Sequence, residues 1–281
     1  MAEYRLKGHE KFHLREGWIA KGIRGYLDNS RVFIDNNGSD CLGVGTNMVK
    51  SIRYWMLAFG ILSDDMVKNH KLTMIGNMIK EYDIYLEDYF TLWLLHSQIS
   101  KCEHKATTWY LFFQKSDAKE FTKEEMYVLL KRELIAYIGS EEFSDTSLRD
   151  DLDLLLNMYS RLPNDDDPED KNRSPFASLG LLSKTGEMYF RKQPDLRKFE
   201  DTILLYEISI VLQETNTVSI ADIAKLMEHI YHLSYMTTTQ MLERLENMGY
   251  IKVDRTAGLD VIYGENMLTP EDVLRQYYEG R

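Results

Sequence analysis

The sequence predicts a mainly α-helical protein, and three observations lead to this fold class. All five prolines lie after residue 162, so the first part of the chain has no helix breaker of that kind. Apolar residues recur there at spacings of three and four, which is the period of an amphipathic helix. Near the C-terminus the pattern runs helix, helix, helix, glycine, strand, turn and strand, which is typical of a winged helix.

The composition is that of a globular protein. Of the 281 residues, 44% are hydrophobic and 28% are charged, which excludes a disordered chain. No apolar run reaches the roughly 20 residues of a membrane span, and the N-terminus lacks the apolar core of a signal peptide. Two cysteines, Cys41 and Cys102, are too few for a disulfide scaffold. We therefore expect a cytoplasmic protein without a membrane partner.

The charge is unevenly distributed along the chain. The net charge is −11, but residues 1–60 contain nine Lys and Arg against six Asp and Glu, a balance of +3. Residues 61–200 and residues 201–281 each carry −7. Because nucleic-acid phosphates attract cations, any DNA contact is expected in the first sixty residues.

The first region, residues 1–62, is predicted to be a basic domain of helix-turn-helix type. An apolar stripe predicts a helix over residues 14–27, and residues 32–34 have the character of a short strand before the turn residues 35–38. A second helix is expected within residues 42–62, after Gly43 and Gly45, with Thr46 or Asn47 as its N-cap.

This second helix has an apolar back and a polar front. The back would pack on the preceding helix, and the front would enter a major groove. An ordinary amphipathic helix with a solvated basic face is the alternative. The front carries Asn47, Lys50, Ser51, Arg53 and Tyr54. The residues predicted to contact double-stranded DNA are Thr46, Asn47, Lys50, Ser51, Arg53, Lys11 and Arg15.

The central region, residues 63–195, is predicted to be helical. Aromatic residues at helical spacing over residues 71–115 indicate its buried centre. Thr122 and Glu125 form a capping-box pattern for a helix that ends near Ile138 at Gly139. Another helix fits residues 147–159, and the acidic residues 160–175 read as a solvated loop.

The C-terminal region, residues 196–281, is predicted to be a winged helix with a short β-hairpin. Helices are expected at residues 203–212, after Ser219, and at 237–248, where Gly249 ends the last one. Strands at residues 250–254 and 261–263 would flank a turn at 256–258. Because the region is acidic, we expect it to contact protein, with a homodimer as one option. The apolar patch predicted for this contact consists of Tyr231, Leu233, Tyr235 and Met236.

Two clusters of titratable residues are weak candidates for catalysis. Asp83, Glu87 and Asp88 form an acidic cluster in which Asp83 and Glu87, four residues apart, would share a helix face that suits Mg²⁺, or the cluster is a solvated face. His9, Glu10 and Lys11 suit acid–base or phosphate contact, or they form surface salt bridges at a helix start. The chain contains no HExxH, Walker-type loop, GxSxG or CxxC motif, and the sequence commits to no metal site.

Five segments occur in a distinctive order and spacing, namely GHEKFHLREGW, LGVGTNMVKSIRYW, YLEDYFTLWLLH, TTWYLFF and SPFASLGLL. In these segments the chain resembles a bacterial family of uncharacterised domains encoded beside DNA phosphorothioation (sulfur-modification) and phage-defence genes. It is similar to the domain in the nicking subunit of the single-strand phosphorothioation (Ssp) system. In that system one strand is thought to be cut so that a sulfurtransferase machinery can act.

The resemblance implies DNA handling and leaves three functions open. The first is a DNA-binding component of a phosphorothioation, antiviral-defence module of restriction–modification type, with double-stranded DNA and other proteins of that complex as partners. The second is a DNA nicking endonuclease, for which Mg²⁺ or Mn²⁺ would be the cofactor. The third is a helix-turn-helix transcriptional regulator. Whether the chain is an enzyme does not follow from the sequence.

Overall fold

The computed structural model describes residues 2–35, 37–64, 70–161, 174–256 and 260–280. Helices dominate these residues, joined by small antiparallel sheets, so the prediction of a mainly α-helical fold is confirmed. The chain forms two compact units, Met1–Lys192 and Gln193–Arg281. No helix in the described ranges is long and apolar enough to cross a bilayer. The division of the sequence into three regions stays a prediction.

The first unit begins with three helices and a hairpin. Its elements are α1 (Trp18–Asp28), α2 (Gly38–Leu42), α3 (Thr46–Ala58), β1 (Leu62–Asp64) and β2 (His70–Leu72). The strand predicted for residues 32–34 is wrong, because the chain turns there and the N–H of Ile34 donates to the Arg31 carbonyl at 2.8 Å. The N-cap of α3 is Gly45, one residue before Thr46 and two before Asn47, the two predicted caps.

The remainder of the first unit packs helices around an aromatic core. Its elements are α4 (Met74–Tyr82), α5 (Tyr89–Ser100), α6 (Thr107–Gln114), β3 (Glu120–Thr122), α7 (Lys123–Ile138), α8 (Asp145–Ser160), β4 (Leu182–Thr185) and β5 (Met188–Arg191). Strand β5 lies between β3 and β4, antiparallel to both. Trp93 and Trp109 are fully buried, as the predicted aromatic centre over residues 71–115 requires, and Trp55 of α3 is buried as well.

The start of α7 follows the sequence prediction. The Thr122 hydroxyl accepts from the Glu125 N–H, and the Glu125 carboxylate accepts from the Thr122 N–H at 2.7 Å. These bonds satisfy two backbone donors at the helix end. The same Thr122 N–H lowers the pKa of Glu125, so the box is intact at neutral pH and weakens as the pH falls through that lowered pKa. Gly139 ends the helix in a left-handed conformation, as predicted.

The predicted acidic loop lies mostly outside the described residues. Helix α8 ends at Ser160, and the chain is described again from Ser174, whose hydroxyl caps a short 3₁₀ turn over Pro175–Leu179. Residues 162–173, which hold the acidic run, fall in the gap.

The second unit contains the three helices and two strands expected from its sequence, and also a short strand and a last helix. In chain order its elements are α9 (Asp201–Glu214), β6 (Val218–Ser219), α10 (Ile220–Tyr231), α11 (Tyr235–Asn247), β7 (Ile251–Asp254), β8 (Val261–Gly264) and α12 (Pro270–Glu279). Of these, β6 and α12 were not predicted. Strand β8 lies between β6 and β7, with Val253 opposite Ile262. Gly249 has a φ of 79°, which suits glycine at the end of α11. Residues 257 and 258 of the predicted turn at 256–258 lie outside the described ranges.

The apolar patch predicted in this unit is only half exposed. Tyr231 and Leu233 are fully buried, and the Tyr231 hydroxyl donates to the buried Glu207 carboxylate at 2.6 Å. Tyr235 and Met236, in contrast, are 59% and 71% exposed at the start of α11. Tyr231 and Leu233 therefore belong to the core of this unit. Of the four predicted residues, Tyr235 and Met236 are accessible to a partner.

Candidate nucleic-acid interface

Helix α3 has the predicted apolar back but a narrower polar front. Ile52, Trp55 and Met56 are fully buried, and α1 and α2 both pack on this helix. Two residues predicted on the front, Ser51 and Tyr54, are buried instead. An N-terminal segment covers this side of the helix, which the apolar period alone did not indicate. Burial holds the pKa of Tyr54 well above its usual value.

The remaining front residues lie along one exposed side of α3. Thr46, Asn47 and Lys50 are exposed, and the Lys50 ammonium makes a long 3.4 Å contact with the Asn47 side chain. Arg53 is half-buried, and its Nε donates to His70 Nε2 at 2.9 Å. The front available to a ligand is therefore smaller than the sequence predicted, with Lys50 as its most accessible cation.

The covering segment, residues 2–17, is here called the basic arm. It has no helix or strand, and Lys7, Glu10 and Lys11 adopt left-handed backbone angles, with φ of 57°, 50° and 67°. The Phe12 carbonyl accepts from Ser51 Oγ at 3.3 Å and from Trp55 Nε1 at 3.1 Å. These two bonds fix the arm against α3.

Two lysines of the arm share one carboxylate of α8. The ammonium groups of Lys7 and Lys11 lie 2.9 Å and 3.1 Å from Asp150 Oδ2. Partial burial would raise the pKa of Asp150, but the two ammonium groups outweigh it and lower the pKa. The hydrogen bond to Asp150 in turn raises the pKa of Lys7. Asp150 therefore holds both ammonium groups on one side of the arm.

Arg15 is held by aromatic rings. Its guanidinium carbon lies 5.6 Å from the centre of the Phe12 ring and 5.3 Å from the Trp18 ring, a cation–π arrangement. The Nε atom is buried and has no hydrogen-bond partner among the residues that the structure describes. A cation held in this way keeps its position without an acidic partner, so its charge remains available to an anion.

His9 is a buried anchor of the arm. Its ring is fully buried, Nε2 lies 2.8 Å from Asp151 Oδ1, and Nδ1 accepts from the Lys11 N–H at 3.1 Å. Since Nδ1 accepts a hydrogen bond, Nε2 carries the proton and donates a hydrogen bond to Asp151. The Glu10 and Lys11 side chains lie outside this buried network. The three residues form no open site, and their catalytic role stays a prediction.

The second catalytic candidate also differs from the sequence prediction. Asp83, Glu87 and Asp88 do not share a helix face, because α4 ends at Tyr82 and α5 begins at Tyr89. Asp83 instead accepts from the N–H groups of Glu87 and Asp88 at 2.8 and 3.1 Å, and Asp88 caps α5. Burial raises the pKa of Asp83 despite these donors. In the described residues no group of three His, Cys, Asp or Glu side chains is placed to hold a metal ion.

The residues that organise the arm, Asp150 and Asp151, were missed in the sequence. Both lie in α8, and Asp151 is buried between apolar neighbours. A signal was present, since Asp151 follows Leu148 by three residues and precedes Leu155 by four. A carboxylate on the apolar stripe of a helix requires buried hydrogen-bond donors, and a histidine such as His9 is a residue type that can supply one.

A protein-family model matches residues 6–278 and is described as a protein of unknown function, DUF4007. The chain belongs to this family. The DUF4007 chain also matches two solved structures, described as "SspB crystal structure" and "Magnesium ion-bound SspB crystal structure", with TM-scores of 0.84 and 0.83. Each match has 22% sequence identity and covers 98% of this chain and 88% of the other.

The DUF4007 chain therefore has the fold of SspB, and the family resemblance read from the sequence is confirmed. No curated protein matches the chain.

Proposed function

We propose that the chain is a DNA-binding component of a bacterial DNA-phosphorothioation and phage-defence module. The observation that carries this proposal is the fixed pairing of the basic arm with α3 through the Phe12 carbonyl. It places Lys11 and Arg15 on the same segment that covers the helix bearing Lys50 and Arg53. Cations held on the arm suit contacts with DNA phosphates, while the polar front of α3 suits contacts within a groove.

We further infer that α2, the turn at Gly43 and Gly45, and α3 act as a helix-turn-helix. Gly43 adopts a left-handed φ of 60°, and α2 packs against α3. In this motif the second helix lies in the major groove with its N-terminal residues at base edges. Thr46, Asn47 and Lys50 occupy that end of α3, so they are the proposed base and phosphate contacts.

The second unit is proposed to be a winged helix that contacts protein. Its order α9, β6, α10, α11, β7 and β8, with β8 between the other two strands, supports this interpretation. The acidic charge of this unit disfavours DNA. Its exposed Tyr235 and Met236 suit an apolar contact with another protein, or with a second copy of the chain.

Membership of a phosphorothioation module rests on the comparisons. The similar structures are those of SspB, and the family covers almost the whole chain. We propose that this chain, too, assembles with other proteins of such a module. The transcriptional-regulator interpretation stays a prediction, and a list of neighbouring genes would separate it from the module.

The DNA-binding assignment predicts a specific change in salt dependence. Lys50→Ala with Arg53→Ala should weaken binding to duplexes of any sequence, because both cations are proposed to contact phosphate. The slope of log affinity against log salt should fall by roughly two contacts. Fluorescence anisotropy over a salt series measures both quantities.

Arg132→Ala is the matched control, because Arg132 is exposed on α7 and paired with Glu133 at 2.8 Å. It should leave the slope unchanged. A double variant that keeps the wild-type slope while retaining its circular dichroism spectrum would remove α3 from the interface.

Metal-dependent nicking is the second candidate function, and one observation favours it. A similar structure contains a magnesium ion. If the chain nicks DNA, supercoiled plasmid should become open circles with Mg²⁺ or Mn²⁺ and remain intact with EDTA. Asp83→Asn and Glu87→Gln should abolish the activity if the turn before α5 holds the metal. Full activity in both variants would move the metal elsewhere, and intact plasmid under all conditions would exclude nicking.

A further inference from the structure

A buried carboxylate, Asp151, holds the first part of the basic arm. Asp151 accepts three hydrogen bonds, from the Lys7 N–H at 2.8 Å, from His9 Nε2 at 2.8 Å and from Thr108 Oγ1 at 2.7 Å. Two of these donors belong to the arm and the third belongs to α6. Asp151 therefore joins the arm to two helices of the first unit.

The backbone of the arm requires such an anchor. Left-handed φ values at Lys7, Glu10 and Lys11 are unfavourable for residues with a Cβ and persist only where surrounding contacts impose them. Gly8 lies so close to the Tyr54 ring that a Cβ there would overlap it. His9 then enters an aromatic surround of Tyr54, Trp55 and Trp109, with ring centres about 6 Å away.

The anchor also sets the positions of the charged groups. From His9 the chain turns so that the Lys11 N–H reaches Nδ1 and the Lys11 ammonium reaches Asp150. Phe12 follows on α3, and Arg15 lies against Phe12 and Trp18. A ligand that meets these cations already in place pays less conformational entropy than one that must order them.

We propose that Asp151 and His9 are positioning residues for DNA binding. They hold the basic arm so that Lys11 and Arg15 contact phosphates beside the α3 front. This inference rests on the proposed DNA-binding function and names the residues that act through the arm without touching the duplex.

The test depends on the direction in which DNA affinity changes, because the loss of a negative charge alone would change it in the opposite direction. Asp151→Asn removes one negative charge, which by itself should tighten DNA binding. The amide, however, is uncharged, so its single oxygen accepts more weakly from the Lys7 N–H and His9 Nε2. Its NH2 group faces Thr108 Oγ1, whose hydroxyl loses its acceptor, and the arm loosens. We expect binding at least about tenfold weaker, with the salt slope reduced by roughly two contacts.

Asp153→Asn is the matched control, two residues further along α8. It removes the same charge from a half-exposed carboxylate that pairs with Lys123 and does not contact the arm. DNA binding by this variant should be unchanged or slightly tighter. Trypsin should cleave after Lys7, Lys11 and Arg15 faster in Asp151→Asn than in Asp153→Asn, as mass spectrometry would show.

The outcomes separate this inference from the function on which it rests. Faster cleavage of the arm with unchanged DNA affinity would overturn the positioning role and leave the DNA-binding function standing. No salt-dependent binding by the wild-type chain would overturn both. If Asp151→Asn does not fold, Thr108→Val replaces it, because it removes one of the three donors and keeps the side-chain shape. We expect this variant, too, to bind DNA more weakly and to be cleaved faster in the arm, by a smaller factor.

Discussion

Trp55→Ala is expected to lower the free energy of unfolding of the first unit by about 3–5 kcal/mol, the usual cost of truncating a buried aromatic side chain. Trp55 is fully buried and lies between the rings of His9, Phe59 and Trp109. Its indole N–H also donates to the Phe12 carbonyl, so the substitution removes a contact to the arm as well. Such a loss is a large part of the roughly 5–15 kcal/mol that stabilises a typical domain.

Urea unfolding followed by circular dichroism measures this effect. Leu27→Ala on α1 is the control, since Leu27 is 54% exposed and should change stability by less than about 0.5 kcal/mol. A Trp55→Ala variant as stable as the control would mean that the aromatic cluster does not hold the arm and α3 together.

The second large effect concerns which unit binds DNA. Asn47→Glu with Lys50→Glu changes the charge of the α3 front by −3 and should weaken DNA binding by on the order of 100-fold, through one lost contact and two new repulsions. Both side chains are exposed. A glutamate in the first turn of a helix is favourable to the helix dipole, so the fold should be retained.

The same change of charge in the second unit provides the control. Gln240→Glu on α11 with Lys252→Glu on β7 also adds −3, at exposed positions of the proposed winged helix. DNA affinity measured at fixed salt should be unaffected by this pair. A larger loss from the second pair than from the first would transfer the DNA contact to the acidic unit.

The elements that local sequence determines were predictable. The capping box at Thr122, the left-handed glycine at 139 and the helices α10 and α11 each depend on residues within a few positions of one another. The β3–β5–β4 sheet was not predicted, because strands of three or four residues are too short to show the alternation of apolar and polar residues that indicates a strand. Residues 32–34 have high strand propensity but no neighbouring strand to pair with, and Val32 is buried in a turn.

The candidate interface was only partly predictable, for a related reason. The position of α3 and its exposed Lys50 follow from local periodicity. The burial of Ser51 depends on the Phe12 carbonyl, 39 positions earlier in the chain. The role of His9 depends on Asp151, 142 positions later. Contacts at such separations carry no periodic signal, so a histidine that anchors the arm and a histidine that catalyses look alike in sequence.

The buried ring of His9 makes the arm observable in solution. Its Nε2–H is shielded from water and hydrogen-bonded to Asp151, so it should exchange slowly with solvent when the arm is in place. His96 is also fully buried, but its Nδ1 bonds to the Tyr159 hydroxyl, whereas His9 bonds to a carboxylate, so the two imidazole environments differ. The nuclear magnetic resonance signal of His9 therefore follows the opening and closing of the basic arm without any label on the DNA.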